Sequence, residues 1–169
     1  MRKMEVFFDY SCPYCLDGHE KLKKLLPRFP DIEIIWRPCE AHPRPEEHGL
    51  HSDICIQGLL YVMETGGDIW AYHDNIYNAA CIEKVNIEDP EVIVGHVTDL
   101  VEPARMLGVL QSGVLADAVL KANDYAYEEN DVWVVPAFRM DGKKLDAIGG
   151  VGVAEYALEA FMEGPVKKA

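Results

Sequence analysis

The stretch Val6-Phe7-Phe8-Asp9-Tyr10-Ser11-Cys12-Pro13-Tyr14-Cys15, followed at once by an amphipathic run over residues 16–26, constrains this chain more than any other feature. Residues 6–8 are apolar and β-prone, and they read as a short buried strand. The chain then turns at Tyr10 and Ser11, and a helix begins. Pro13 suits the first helical turn, where its missing N–H would be an orphan donor anyway and its φ is already near helical. This spacing predicts Cys12 at the helix N-cap, with Cys15 about one turn later on the same face.

Such placement has a chemical consequence. Unpaired N–H groups and roughly half a positive charge at a helix N-terminus favour a thiolate over a thiol. A free thiol of pKa ~8.5 can fall to between ~3.5 and ~7.5 in a site of this kind. Cys12 then becomes a nucleophile near neutral pH, and Cys15 can attack the sulfur of a mixed disulfide on Cys12 and release the partner. Half of a zinc knuckle, or a pair of core cysteines, is the competing account. A zinc site would want two more ligands at similar spacing, and the sequence holds no second Cys-x-x-Cys.

Downstream, Pro27, Pro30 and Asp31 break the periodicity, and residues 32–37 read as a second buried strand, parallel to the first across a helical connection. From Pro38 to His51 the composition turns loop-like, with Pro38, Pro43 and Pro45 among Cys39, Glu40, His42, His48 and His51. Residues 52–130 look wholly helical. Ser52 can cap a helix that stops at Gly66-Gly67, and Asp68 a second. Asp89-Pro90 opens a third through Val101, Pro103 a fourth to Leu110, and Ser112 a fifth to Glu129. Residues 132–135 resume β character until Pro136. Beyond it, residues 137–140 and 143–148 form a hairpin around Asp141-Gly142, a pair suited to a type I′ turn. A last amphipathic helix spans 153–162 and should bury Tyr156, Leu158 or Ala157, and Phe161. The class is therefore α/β: a thioredoxin-like mixed sheet (β-α-β … β-β-α), built from residues 1–48 and 131–169, with an inserted all-helical domain at 49–130.

Residues 8–15, together with Val135-Pro136-Ala137-Phe138 and Asp141-Gly142, resemble the DsbA-like thiol:disulfide oxidoreductases of the thioredoxin superfamily, in particular the FrnE-like cytoplasmic branch. The resemblance covers essentially the whole chain. It implies Cys12 as the attacking thiol, Cys15 as the resolving thiol and Pro136 as a cis-proline. Val135 would then present its N–H and C=O to an extended protein or peptide substrate, as in strand addition to a sheet edge. Pro13 and Tyr14, lying between the cysteines, would touch substrate as well. Some relatives carry a charged residue six places before the nucleophile, where this chain has Val6. Asp9 is the nearest substitute as proton acceptor for Cys15; capping the loop before the helix is its other reading. Relatives with a similar insertion include glutathione-dependent isomerases and transferases, but these carry serine where Cys12 stands.

A second constellation is Cys39, His42, His48, His51 and Cys55. Sulfur and imidazole at this density suit zinc or another borderline metal. Cys39 with Cys55 is a candidate second redox pair, and the plain account is packed cysteines beside solvated histidines. Cys81 should pack and His96 should face solvent. Trp70, Tyr72, Tyr77, Tyr125, Tyr127 and Trp133 either line a groove between insertion and core or pack helices.

With 169 residues, 49% of them hydrophobic, the chain can bury a full core. A net charge of −13 argues against nucleic acid or an anionic membrane as partner. Five cysteines do not suit a secreted disulfide scaffold, and the first apolar run is broken by Asp9, too early for a signal peptide. The expectation is a cytoplasmic monomer or homodimer that needs no cofactor beyond its cysteine pair, with glutathione as a candidate electron partner.

Overall fold

In the computed structural model, which describes residues 1–164, β1 (Arg2–Phe8), α1 (Pro13–Leu25) and β2 (Ile32–Pro38) form the first β-α-β unit. The sheet is completed by the hairpin β3 (Ala137–Met140) and β4 (Lys143–Asp146), in the order β2-β1-β3-β4. β1 runs parallel to β2 and antiparallel to β3. Asp141 and Gly142 both take positive φ, 51° and 72°, as a type I′ turn requires. Residues 165–169 of the expected second half lie outside the described residues.

The alternation of β1 divides the interior. Met4, Val6 and Phe8 enter the main apolar cluster, whereas Phe7 joins a smaller one with Cys39, Ala126, Val132 and Ala137. Burying a side chain such as Phe8 contributes about 1.5–3 kcal/mol. α1 closes the main cluster with Leu22 and Leu25, and α7 (Glu155–Glu163) adds Leu158 and Met162.

Between the two halves of the sheet lie α2 (Asp53–Glu64), α3 (Ile69–Tyr77), α4 (Pro90–Gly95), α5 (Pro103–Ser112) and α6 (Ala116–Asp124). Wider π-helical turns extend α3 over Asn78–Glu83 and α6 over Tyr125–Glu129. Asp68 caps α3 by accepting from Ala71 N, and the Asp89 carboxylate accepts from Glu91 N at the start of α4.

Several expectations need correction. Ser52 stands at the N-cap of α2, but its buried hydroxyl makes no capping bond. α4 ends at Gly95, not Val101, and α6 begins at Ala116, because Ser112 instead ends α5 with its hydroxyl donating to Val109 O. α7 begins at Glu155, and Tyr156 is 79% exposed, so only Leu158 of that predicted set is fully buried. Residues 132–135 form no strand. Extending the β1–β3 register would set Phe8 opposite Pro136, which has no N–H to donate, and β1 ends there. Trp133 is 72% exposed as a result.

Candidate active site

Cys12 occupies the N-cap of α1 with extended backbone (φ −97°, ψ 115°), and Pro13 fills the first turn. Its carbonyl accepts from Cys15 N at 3.0 Å and Leu16 N at 3.3 Å, so the helix closes directly behind it. Its thiol is half-buried and lies 3.9 Å from the carbonyl oxygen of Val135. Cys15 is 1% exposed, and its sulfur accepts from Asp9 N at 3.5 Å. All five cysteines are free thiols.

The two neighbouring thiols are driven apart in acidity. Cys12 falls to about 7, chiefly because the Cys15 side chain hydrogen-bonds its sulfur. Burial opposes this, the N–H groups of Cys15 and Tyr14 assist, and the negative charge of Asp9 opposes. Cys15 is pushed well above the ordinary thiol range, first by burial and then by Cys12. An acid–base split of this kind within one helical turn leaves one anion ready to attack and one thiol held in reserve.

Asp9 is fully buried, and its carboxylate is committed to the loop. Oδ1 accepts from Ser11 N at 2.9 Å and Ser11 Oγ at 3.0 Å, and Oδ2 accepts from Ala41 N at 2.6 Å. The contact with Cys15 runs through the Asp9 backbone N–H, so the geometry is that of a loop cap.

Across from Cys12, the Val135–Pro136 peptide bond is cis. Pro136 packs on α1 at Gly18, where a Cβ would sit 2.9 Å from the proline Cγ. A glycine inside a helix costs up to about 1 kcal/mol relative to alanine, and here it makes room for the proline. A glycine inside the amphipathic run is the mark this contact leaves in the sequence. Exposed Tyr14 projects beside Gly152, whose absent Cβ would lie 3.3 Å from its ring. On the far side of Val135, a groove of about 290 Å³ is lined by Ala41, Pro43, Tyr127, Trp133 and Val135. Trp133 stacks on Tyr127 there, with ring centroids 6.1 Å apart.

Beneath the site lies an aromatic and histidine cluster that the sequence reading did not assemble. Tyr10 Oη is 2.8 Å from His73 Nδ1, His19 Nε2 is 2.9 Å from Asp74 Oδ1, and the His73 ring centroid is 4.2 Å from that of Trp36. Trp70, Tyr72 and Tyr77 thus pack helices against the core, whereas Tyr127 and Trp133 line the groove. Cys81 is half-buried and donates to Tyr10 O at 3.3 Å. Burial first, then Cys12 and Asp9, push its thiol to about 11. His96 is half-buried, with Nδ1 2.7 Å from Val92 O and Nε2 3.1 Å from Glu83.

The expected second constellation does not converge. Cys39 belongs to the smaller apolar cluster and Cys55 to the main one, so they neither pair nor share a site. Burial raises Cys39 to about 12 and Cys55 well above the thiol range. His42 pairs with Glu46, His51 with the carbonyl of His42, and His48 is exposed. Among the described residues, the one group of three His, Cys, Asp or Glu ligand atoms within 4.8 Å is His19, Glu20 and Asp74, where Lys23 Nζ already lies 2.5 Å from Asp74.

Residues 3–65 match the DSBA-like thioredoxin domain family. The solved structure of a probable DsbA oxidoreductase, SCO1869 of Streptomyces coelicolor, superposes with a TM-score of 0.75 at 17% identity, over 86% of this chain and 83% of that one. The fold is DsbA-like. Oxidised BdbD of Bacillus subtilis shares it with a TM-score of 0.74 at 13% identity, over 96% of this chain and 85% of that one. By sequence, the uncharacterized protein YwbO of Bacillus subtilis (strain 168) is 22% identical over 191 residues, 92% of this chain and 94% of that protein. In a DsbA-like fold the sheet order found here sets the end of β1, the start of α1 and the approach to β3 around one surface, which is where Cys12, Cys15 and Val135 meet.

Proposed function

We propose that this protein is a thiol:disulfide oxidoreductase of the FrnE-like cytoplasmic branch, acting on protein or peptide disulfides. The observation that carries the reading is a thiol lowered to about 7 at a helix N-cap, beside a buried second thiol and 3.9 Å from the carbonyl of half-buried Val135, just before β3. In the reducing direction the Cys12 thiolate attacks one sulfur of the substrate disulfide, forming a mixed disulfide and releasing a substrate thiolate, which takes up a proton. Cys15 then loses its proton and attacks the Cys12 sulfur. The substrate leaves as a dithiol, two electrons richer, and a Cys12–Cys15 disulfide remains. The oxidising direction is the same path reversed, and the reduction potential decides between them.

Val135 supplies backbone groups for an extended substrate segment, Pro13 and Tyr14 form the rim, and Pro136 holds the Val135 segment against α1. The net charge of −13 favours neutral or basic polypeptides over acidic ones and over nucleic acid or anionic membranes. Glutathione is the proposed electron partner, and the chain acts as a monomer or homodimer. The intact cysteine pair speaks against a glutathione-dependent isomerase or transferase.

The test is insulin reduction and refolding of a reduced disulfide protein. Cys12→Ser abolishes turnover, and Cys15→Ser accumulates mixed disulfides visible on non-reducing gels. Full activity in both single variants refutes the assignment.

A further inference from the structure

The active-site chemistry uses none of a second polar cavity, about 130 Å³ in volume, between the loop after β2, α2 and α6. Its polar wall is Glu40, Arg44, Asp53 and Gln57, and its apolar wall includes Val119 and Leu120 of α6. Three acceptor oxygens of that wall are buried with no hydrogen-bond partner among the described residues: Glu40 Oε1, Asp53 Oδ1 and Gln57 Oε1. Glu40 and Gln57 are each only 3% exposed. A buried polar oxygen left unpaired is destabilising, more so when charged, so three in one cavity call for a common partner.

From these oxygens we infer a binding site for a hard divalent cation of the calcium type, held by Glu40, Asp53 and Gln57. The remaining oxygens of the two carboxylates are already engaged: Glu40 Oε2 accepts from Asn123 Nδ2 at 2.8 Å, and Asp53 Oδ2 accepts from Arg44 Nε at 3.3 Å. Each carboxylate therefore offers one free oxygen, and its orientation is fixed by the other. Asp53 and Gln57 stand four apart on α2 and present their oxygens from one face. Arg44, the cationic side chain of this wall, pairs with Asp53 and is shared with Glu88 Oε1 at 2.8 Å, so one guanidinium faces the three carboxylates of Glu40, Asp53 and Glu88.

The donor set decides the class of ion. All three ligands are oxygens and one is a neutral amide, which suits calcium, with its six to eight oxygens in irregular geometry, better than zinc. At ~30 Å³ per water the cavity has space for the waters that complete such a shell. The bound ion would join the loop after β2 to the helical insertion, next to the Ala41 N–H that anchors Asp9.

The experiment is calcium titration of chelator-treated full-length protein, followed by calorimetry and by thermal melting. One ion binds per chain, and Tm rises by roughly 8 °C when free calcium is about a hundredfold above Kd. Glu40→Gln and Gln57→Met, which keep side-chain volume, each lose the binding heat and the Tm shift, while Glu64→Gln, an exposed acid at the far end of α2, keeps both. Magnesium gives the smaller shift. No heat and no shift at ~10 mM calcium, above the ~1 mM dissociation constants of the weakest such sites, would mean that the cavity holds water only. Binding that survives both site variants would place the ion elsewhere and equally overturn the assignment. Neither readout depends on Cys12, so failure here leaves the redox reading untouched.

Discussion

At the scale of single residues, the protein separates two thiols that the sequence makes look equivalent. Cys12 and Cys15 share one helical turn, yet Cys12 is lowered to about 7 and Cys15 is raised well above the usual range. The largest lowering cause at Cys12 is the Cys15 side chain, so the two acidities are one property of the pair. Alkylation by iodoacetamide reports thiolate, and its rate at Cys12 rises with pH through a midpoint of about 7. Cys39 and Cys81, at about 12 and about 11, stay unmodified at pH 8. Cys15→Ala removes the principal hydrogen bond and moves the Cys12 midpoint upward. Mass-resolved alkylation rates between pH 5 and 9 check both statements, and a midpoint unmoved in Cys15→Ala contradicts the stated cause. Cys12, Pro13 and Cys15 were legible because helix-start chemistry is local. The commitment of Asp9 to Ala41 was not, since it joins groups 32 residues apart that no spacing rule connects.

At the scale of elements, α1 is fixed to α3 through two histidines rather than through aliphatic packing alone. His73, packed by Phe8, Tyr10, Trp36 and Tyr77, is held well below the ordinary histidine range by burial first and by the His19 ring second. His19 is lowered by burial, against the raising effect of Asp74. Both are therefore neutral when folded, whereas the unfolded chain takes up protons near pH 6.5. Their contribution is complete above pH ~6.5 and is lost as pH falls below it, toward the depressed folded values. His96, raised by Val92 O and Glu83, works with the opposite sign, so the comparison must be with a variant. Urea unfolding of the wild type loses stability between pH 6.5 and 5, and His73→Phe reduces that slope by up to about 1.4 kcal/mol per pH unit, one proton's worth. An unchanged slope in His73→Phe contradicts the account. The punctuation of these helices was readable where a side chain caps its own backbone, as at Asp68 and Asp89. It was misread where tertiary demands prevail: residues 132–135 have β-prone side chains but no partner strand, and the π turns that aim Cys81 and Tyr127 leave no mark in the sequence.

At the scale of the whole molecule, the helical insertion interrupts the sheet in sequence but not in the core. The main apolar cluster runs without a break from Met4, Phe8, Leu22 and Phe138 to Ile56, Leu59, Ile76 and Met106. One contact makes the point directly: Trp36 of β2 and Trp70 of α3 meet edge to face, with ring centroids 4.9 Å apart. Opening the insertion would expose apolar area on the sheet side as well, so neither part retains a complete core alone. Unfolding is therefore a single transition, with calorimetric and van't Hoff enthalpies equal and near 120 kcal/mol around 60 °C, at about 0.7 kcal/mol per residue. Near-ultraviolet circular dichroism supplies the local test. The signal of the Trp36–Trp70 pair disappears at the same temperature as the far-ultraviolet signal of the helices, and Trp133→Phe leaves that coincidence intact because Trp133 lies outside the main cluster. Two separated transitions, or loss of the Trp36–Trp70 signal before the helices melt, would mean that insertion and sheet are independent units despite their common interior.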